Sequence, residues 1–374
     1  MILKVLTWIS RILFGGVFIF AGFTKAIDPL GSAYKFEDYF LAFGMESLFP
    51  LALPLAILLN TVEFLVGFTI LLGLKMRLSA WVGLLFMAFF TPLTLYIAIT
   101  NPVPDCGCFG DAVIISNWDT FYKNVVILAA AILIFIRRDK IQPLWSQKKD
   151  GYLAGGLAIL ILWLSMHCLL NLPIIDFRPW KTGNDITQQL EPVQEEIVEH
   201  LFVYENTETG ETRKFDMDNL PTDEEWEYVD REQKLIQEYI PSPIENFVIE
   251  DEFGQDLTWD IISNPGYQLL VVAYDLKRTH QKAFTGNIKE TAMAARHDGI
   301  DVITLTSSTF SDIQHFKQEH DLDWTFFQSD ERELKTIIRS NPGLVLLQNG
   351  VVIEKWHHRN IPSYDSMKDT YLKD

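Results

Sequence analysis

The hydrophobic pattern of the chain changes near residue 175. Before that point apolar residues form five long runs, whereas beyond it short apolar runs alternate with charged and polar residues. A helix needs about 20 consecutive apolar residues to cross the hydrocarbon core of a bilayer. We therefore expect five membrane spans, over about Val5–Ile27, Leu51–Leu74, Leu78–Thr100, Tyr122–Ile136 and Tyr152–Leu172.

From Pro243 onward, strand-like runs alternate with helical patterns, which is typical of an α/β sheet. The two-residue Asn349-Gly350 turn predicts a closing antiparallel hairpin. The predicted strands are Gln268–Tyr274, Asp301–Thr306, Trp324–Gln328, Gly343–Leu347 and Val351–Lys355, and the predicted helices are Asn287–His297, Phe310–His320 and Glu331–Ser340.

Three connecting segments have patterns of their own. Phe202–Phe215 predicts a hairpin around Gly210. Asp223–Tyr239 predicts a helix, because its leading acidic residues suit the positive end of a helix dipole. Ser32–Phe43, between the first two spans, mixes aromatic and charged residues and predicts a helix lying at the membrane interface, with a plain connecting loop as the alternative.

These patterns divide the chain into four units. We expect a four-helix membrane domain over residues 1–140, then a loop and a fifth span over 141–175. An acidic linker subdomain over 176–242 and an α/β domain over 243–374 follow. The predicted fold class is thus a membrane α-helical bundle followed by a soluble α/β domain.

Charge divides the chain at the same place. Residues 1–175 carry 12 Lys or Arg and 10 Asp or Glu, a balance of +2, whereas residues 176–374 carry 19 and 39, a balance of −20, which together give the net charge of −18. An acidic surface repels phosphate groups, so nucleic acid is excluded as a partner.

Lys and Arg are concentrated in every second loop between the predicted spans. Cytoplasmic loops are enriched in Lys and Arg, so the loops carrying them are assigned to the cytoplasm, together with the N-terminus. The cysteine loop and the C-terminal domain then both lie in the periplasm of a bacterial inner membrane, where disulfides persist. The basic residues used are Lys4, Lys75, Arg77, Arg137, Arg138, Lys140, Lys148 and Lys149.

Two of the three cysteines, Cys106 and Cys108, lie one residue apart in a turn rich in Gly and Pro. A disulfide between residues only two apart needs a bent backbone, and Gly107 permits that bend. Such a small ring is strained and easily reduced, which favours redox exchange; a static turn and inert thiols are the alternatives. Asp105 and Asp111 are expected to raise the pKa of the thiols. Two cysteines without a histidine supply only half of a tetrahedral zinc site, so no metal site is assigned.

Charged residues inside the spans need partners. At 1.5 Å per residue, Arg11 lies about 9 Å and Glu63 about 15 Å from the cytoplasmic face, a difference that an arginine side chain covers. The sequence therefore predicts an Arg11–Glu63 pair, which either fixes helix packing or belongs to a proton path. Lys25 is expected to reach the headgroups, and Cys168 to be a small core residue.

Short motifs through the first 140 residues carry a resemblance to a known family. They are Arg11–Gly15, Phe20–Lys25, Asp28-Pro29, Glu63 with Gly67, Leu71–Gly73 and Asp105–Asp111. With these motifs the region resembles the DoxX/MauE-like family of four-span membrane proteins, and the added acidic domain resembles its Bacteroidota-type members. The resemblance to the MauE branch implies a role in periplasmic redox maturation.

A second resemblance concerns the C-terminal domain. Phe247–Gly254 is similar to the first strand of thioredoxin-like domains of the TlpA or peroxiredoxin sort, and Asn341-Pro342-Gly343 stands where they carry a cis-proline. Where those domains carry two active cysteines, this chain has Asp275–His280, and no cysteine follows Pro243. The resemblance therefore implies a redox-inactive binding module. Its partner-binding residues are Asn341, Pro342, Lys277 and His280.

Two functional hypotheses follow. In the first, Cys106 and Cys108 carry out thiol–disulfide or electron transfer with a periplasmic polypeptide held by the thioredoxin-like domain, with a quinone as electron acceptor by analogy with other thiol-oxidising membrane proteins. In the second, the protein is a non-enzymatic assembly factor or accessory subunit with a structural Cys-Gly-Cys turn. The sequence leaves open whether the protein is an enzyme. Membrane lipid and a polypeptide or membrane-complex partner belong to both hypotheses.

Overall fold

The computed structural model describes residues 1–142 and 150–372. Lys148 and Lys149, which the charge argument assigned to a cytoplasmic loop, lie outside these residues. Five of the described helices are long and apolar enough to cross a membrane, as predicted. They are α1 (Ile2–Ile27), α3 (Ala52–Leu72, preceded by a 3-10 turn from Glu46), α4 (Met76–Thr100), α5 (Asn117–Arg137) and α6 (Asp150–Leu170).

Glycines bring α1 and α3 into close antiparallel contact. A Cβ on Gly22 would lie 2.6 Å from the backbone nitrogen of Phe64, and one on Gly67 would lie 2.7 Å from that of Ile19. Larger side chains would push these backbones apart, since packed interiors leave no spare room. The glycines therefore set the register in which residues of α1 meet residues of α3.

The short helix α2 (Pro29–Ala42) lies between the first two spans, and the predicted helix there is confirmed. Its start is specified locally. Asp28 accepts a hydrogen bond from the Gly31 backbone N–H at 2.9 Å, and Pro29 occupies a position where no N–H is needed. Phe40 is buried on α3, against Ala52 and Ala56. The polar face of α2 is left free to meet other parts of the chain.

The acidic segment forms a three-stranded antiparallel sheet in the order β2-β1-β3. β1 (Ile197–Asn206) and β2 (Thr212–Phe215) form the predicted hairpin, with Gly210 in the left-handed region at φ +69°. The helix predicted over Asp223–Tyr239 is wrong, because β3 (Trp226–Gln237) is a strand paired with β1.

Aromatic contacts across the sheet explain this difference. The ring of Trp226 lies 5.4 Å from that of Phe215, and the ring of Tyr228 lies 5.8 Å from that of Tyr204. The helix propensity of Glu, Lys and Gln is worth only a few tenths of a kcal/mol per residue. Cross-strand aromatic pairs contribute about 0.2–1 kcal/mol each, and a full backbone ladder adds to them. Pairing with a distant strand therefore outweighs the local preference.

The C-terminal domain is a five-stranded mixed sheet in the order β6-β5-β4-β7-β8. Strands β4, β5 and β6 are parallel, with β6 at one edge, and the antiparallel strands β7 and β8 complete the sheet, with β8 at the other edge. The predicted α/β architecture is confirmed. The strands are β4 (Tyr267–Val272), β5 (Asp301–Thr306), β6 (Thr325–Gln328), β7 (Gly343–Gln348) and β8 (Val351–His357).

Helices cover both faces of this sheet. Alternate residues of β4 point to opposite faces, so Leu269 joins one core and Leu270 joins the other. The predicted helices appear as α10 (Lys289–His297), α11 (Phe310–His320) and α12 (Glu331–Ile337), and α13 (Tyr364–Tyr371) closes the domain. Three shorter helices are α7 (Ile186–Leu190), α8 (Thr258–Ile262) and α9 (Gln281–Ala283), the last continuing as a π-turn over Phe284–Ile288.

The chain leaving the last span is fixed to the α/β domain. Trp180 and Ile186 are fully buried in one core of the sheet, although the sequence placed them in the linker subdomain. Arg178 and Lys355 donate to the Asp176 carboxylate, at 2.8 Å and 2.5 Å. Although burial opposes ionisation, the charges of Arg178 and Lys355 hold the pKa of Asp176 below its usual range. The α/β domain is thus fastened directly to the end of α6.

Candidate functional site

The loop that carries Cys106 and Cys108 is held against α2. Asn101 ends α4 in the left-handed conformation, and Gly107 turns the chain at φ +64°. Asp105 accepts a hydrogen bond from the Gly107 N–H at 2.8 Å, and the Tyr39 hydroxyl donates to the carbonyl oxygen of Cys106 at 3.0 Å. A Cβ at Gly107 would meet the side chain of Lys35 at 2.9 Å, so only glycine lets the loop lie this close to α2.

The two thiols are inequivalent. Both are free and half-buried, and Cys106 Sγ lies 3.3 Å from the hydroxyl of the buried Thr120. A hydrogen bond from the Cys108 thiol lowers the pKa of Cys106 to about 6, and Thr120 and the charge of Lys123 act in the same direction. The same hydrogen bond and burial raise the pKa of Cys108 well above its ordinary value. The thiolate is the reactive form of cysteine, so Cys106 is the more readily ionised and more reactive of the two thiols.

The structure corrects the prediction that Asp105 and Asp111 raise the pKa of the thiols. Asp105 is paired with Lys35 at 2.6 Å, and Asp111 is paired with Arg339 at 3.0 Å. An acid whose charge is balanced by a close cation exerts little field on a neighbouring thiol. The hydrogen bond between the thiols, and not the two acids, sets their pKa values: it lowers that of Cys106, where a rise was predicted, and raises that of Cys108.

The predicted Arg11–Glu63 pair is wrong. Arg11 donates to the carbonyl oxygens of Ile70 at 3.0 Å and Leu71 at 2.7 Å, which belong to the last turn of α3. Glu63 instead forms an ion pair with Lys25, which is buried and does not reach the headgroups.

Helix register explains the difference. The depth argument assumed that both helices begin at one plane. The close contact of Gly15 with Leu71 and of Gly22 with Phe64 instead aligns the inner part of α1 with the last turn of α3. In that register Arg11 meets free carbonyl groups, and the outer end of α1 meets Glu63.

A further buried polar group adjoins this pair. Asn60 is 1% exposed and donates from Nδ2 to the Lys25 carbonyl oxygen at 3.1 Å and to Ser32 Oγ at 3.2 Å. Its Oδ1 has no hydrogen-bond partner among the described residues. Buried polar atoms are usually satisfied, so an unpaired oxygen calls for a ligand or water.

An apolar cavity of about 280 Å³ lies inside the bundle, in the half next to the cysteine loop. Cys106 and Cys108 line it, and so do the polar residues Lys25, Asn60, Glu63 and Lys123. Aromatic rings supply much of the remaining wall, among them Phe36, Phe40, Phe86 and Phe90. The cysteine pair and a membrane-embedded binding space are therefore parts of one site.

The α/β domain is docked on the same end of the bundle through a buried arginine. Arg339 is 6% exposed and donates to Asp28 at 2.8 Å and to Asp111 at 3.0 Å. Although burial favours the neutral acid, the charge of Arg339 lowers the pKa of Asp28. Asp28 begins α2, and Asp111 belongs to the cysteine loop, so one side chain ties the domain to both elements.

Aromatic and basic contacts extend this interface along α2. The hydroxyl groups of Tyr34 and Tyr274 lie 3.3 Å apart. Lys335 lies 4.3 Å above the ring of Tyr34 and 3.9 Å from Glu37. Tyr34, one of the aromatic residues of the helix predicted to lie at the membrane interface, and Glu37 are thus in contact with the α/β domain.

The predicted partner-binding residues meet at one corner of the α/β domain. The Asn341–Pro342 bond is cis; Asn341 donates to the Asp275 carbonyl oxygen at 3.0 Å and accepts from the His280 N–H at 3.1 Å. Pro342 is buried, whereas His280 is exposed and stacks on His358 with 4.8 Å between ring centroids. Lys277 is exposed and pairs with Asp312 at 3.0 Å.

Sequence reasoning missed several residues of the site. Thr120 and Lys123 carried no distinctive signal, because Thr and Lys are common at the outer end of a span. Asn60 could have been identified from the sequence, because it lies three residues before Glu63 in the same apolar span. Two polar residues almost one helical turn apart lie on the same face of a helix and mark that face as polar. Arg339 could be found only from the tertiary structure.

Comparison with known proteins identifies two regions. Residues 3–137, just over a third of the chain, match the family described as methylamine utilisation protein MauE. Residues 198–238, which include most of the three-stranded sheet, match a domain of unknown function (DUF8463). No curated protein matches the chain, and no solved structure matches it. The membrane bundle therefore carries a domain similar to MauE.

Proposed function

We propose, from the similarity of the bundle to MauE, that the protein is a membrane-bound thiol–disulfide or electron-transfer protein. The observation that carries the proposal is the inequivalence of its paired thiols. Cys106 is the nucleophile, and Cys108 is the protonated neighbour that completes the disulfide. Inert structural cysteines need no such difference.

The α/β domain is proposed to be a thioredoxin-like module without redox activity. Its parallel β4–β5 pair, its antiparallel β7–β8 hairpin and the cis-proline before β7 support this assignment. Lys277 and His280 remain exposed beside that proline and are proposed to contact a polypeptide client. The domain then holds a client next to the cysteine loop to which Arg339 ties it.

We further propose that the cysteine loop and the α/β domain lie in the periplasm and the N-terminus in the cytoplasm. The Arg339–Asp111 contact supports a shared side, because it requires residues 111 and 339 to lie on the same face of the membrane. Reporter fusions after residue 175 and between residues 105 and 119 test the orientation. Reporters in opposite compartments would exclude it.

The second candidate is a non-enzymatic accessory factor. The name of the matching family connects it with methylamine utilisation, and an accessory role in a comparable maturation process fits this chain. The observation in its favour is that the chain's own α2 already occupies the surface around Tyr274 and Arg339. Under this candidate both domains serve assembly, and the cysteines do not turn over.

Alkylation trapping in intact cells distinguishes the candidates. If the first is correct, Cys106 and Cys108 are found in both thiol and disulfide forms, and the Cys106→Ser/Cys108→Ser variant loses function while keeping its membrane level. Cys168→Ser is the matched control, because Cys168 is buried in α6 and is predicted to be silent. A pair that never changes redox state, with normal behaviour of the double variant, would establish the accessory role.

A further inference from the structure

We propose that the cavity beside Cys106 and Cys108 binds the ring of a membrane quinone, which accepts the two electrons that the pair releases. This inference rests on the proposed thiol chemistry and adds the chemical class of the acceptor. It is argued from the size of the cavity, its walls, its access to lipid and its polar groups.

The size and walls of the cavity suit one substituted aromatic ring. A cavity of about 150 Å³ is enough to hold benzene. The space here, about 280 Å³, accommodates a substituted quinone ring and the start of its tail. Phe36, Phe86 and Phe90 offer ring faces and edges, with which flat aromatic ligands pack favourably.

The cavity has a route to the lipid phase. Phe43, Met45 and Phe89 line it and are 36%, 38% and 64% exposed on the outside of the bundle. They lie on α4 and on the segment between α2 and α3. A ligand with a long apolar tail can therefore place its ring inside and its tail among the lipids.

Polar groups inside the cavity match both redox states of the ring. Lys25, which is paired with Glu63, and Lys123, whose ammonium lies 4.4 Å from the centroid of the Phe109 ring, both line the cavity. Each ammonium has three hydrogens, so it can also donate to a quinone carbonyl oxygen. The unpaired Oδ1 of Asn60, on a side chain 1% exposed, is an acceptor for a hydroquinone hydroxyl. A lipid acyl chain cannot form a hydrogen bond with any of these groups, which favours a quinone over lipid as the occupant.

The reaction balances without a further reagent. The thiols of Cys106 and Cys108 together lose two electrons and two protons as a bond forms between their sulfur atoms. The quinone gains the same two electrons and two protons, and each of its oxygen atoms ends as a hydroxyl. The oxidised pair is reduced again by thiol exchange with the two thiols of a client, which leaves as a disulfide, so electrons pass from the client through the pair to the quinone.

The test uses the full-length chain in lipid nanodiscs, in a Cys168→Ser background, with decylubiquinone as the probe. After reduction and removal of the reductant, we expect one decylubiquinone to be reduced per protein and one Cys106–Cys108 disulfide to form. Leu93→Trp, which fills the cavity from α4, should slow the reaction at least tenfold. Leu85→Trp, on the same helix but 61% exposed, should change the rate less than twofold.

Binding is measured separately, by thermal stabilisation of the Cys106→Ser/Cys108→Ser variant. Decylubiquinone should stabilise it more than a redox-inert dimethoxybenzene carrying the same decyl tail, and Asn60→Leu should abolish the difference.

If thiols cycle in cells but the quinone neither binds nor is reduced, the acceptor is wrong and the proposed function stands. If the quinone binds but the thiols are not oxidised, the quinone is not the acceptor and the inference fails, whereas the proposed redox function fails only if the thiols also do not cycle in cells. Equal stabilisation by both ligands would show an acyl-chain cavity only and would overturn the inference.

Discussion

At the scale of single residues, one hydrogen bond makes the two thiols inequivalent. The Cys108 thiol donates to Cys106 and stabilises its thiolate, while its own proton becomes harder to remove. With a pKa of about 6, Cys106 is roughly 90% thiolate at pH 7. An ordinary thiol, with a pKa of about 8.5, is only a few per cent ionised there.

The pH dependence of alkylation follows from this difference. In a Cys168→Ser background, the rate at which iodoacetamide modifies Cys106 should rise with pH and reach half its maximum near pH 6. Cys108→Ala removes the donor, so the midpoint should move upward by at least one pH unit. Modified peptides are quantified by mass spectrometry. An unchanged midpoint in Cys108→Ala would contradict the assigned hydrogen bond.

At the scale of elements, the pairing of α1 and α3 depends on both shape and charge. Gly22 and Gly67 let the helices touch, and the contact places the buried Lys25 opposite the buried Glu63. A buried charge that loses its partner typically costs about 3–5 kcal/mol. The pair thus fixes the helices in the register that shapes the cavity.

A double-variant cycle measures this contribution. Lys25→Met or Glu63→Gln alone should lower the free energy of unfolding by about 3–5 kcal/mol, because each leaves one buried charge unpaired. The combined variant should lose less than the sum of the two. Thermal unfolding in detergent is the measurement, and Lys4→Met, on the exposed start of α1, is the control expected to have no effect. Additive losses would show that the two side chains do not interact.

At the scale of the whole molecule, the α/β domain is held over the cysteine loop from two directions. The buried Asp176–Lys355 contact fastens it to the end of α6, and Arg339 fastens it to α2 and the cysteine loop. Two attachments far apart in sequence limit rotation of the domain. Its exposed corner at His280 therefore keeps one orientation relative to the thiols.

Removing one attachment should loosen the domain. Arg339→Met leaves Asp28 and Asp111 without a cation, so amide hydrogen exchange in α2 and α12 should become at least tenfold faster. Arg332→Met is the matched control on α12, because its contact with Asp38 is 3.9 Å long and 60% of its side chain is exposed. We expect that variant to exchange at the unaltered rate. Equal effects of both variants would contradict the central role of Arg339.

The long periodic segments could be predicted from the sequence because each depends mainly on its own residues. Each membrane span needs only its own apolar residues, and each strand of the α/β sheet carries its own β-branched pattern. Cys106 and Cys108 could be singled out because Cys-Gly-Cys is a local motif. The fold class and the candidate thiols therefore depend on short-range information, which a single sequence contains.

Contacts between distant segments were decided only by the tertiary structure. The β3 segment forms a strand because its aromatic residues contact those of β1 and β2. Glu63 paired with Lys25 because glycines set a helix register that no depth argument contains. The lowered pKa of Cys106 and the docking through Arg339 likewise depend on groups brought together by folding. Such energies depend on distance and burial, quantities that a sequence lacks until the chain has folded.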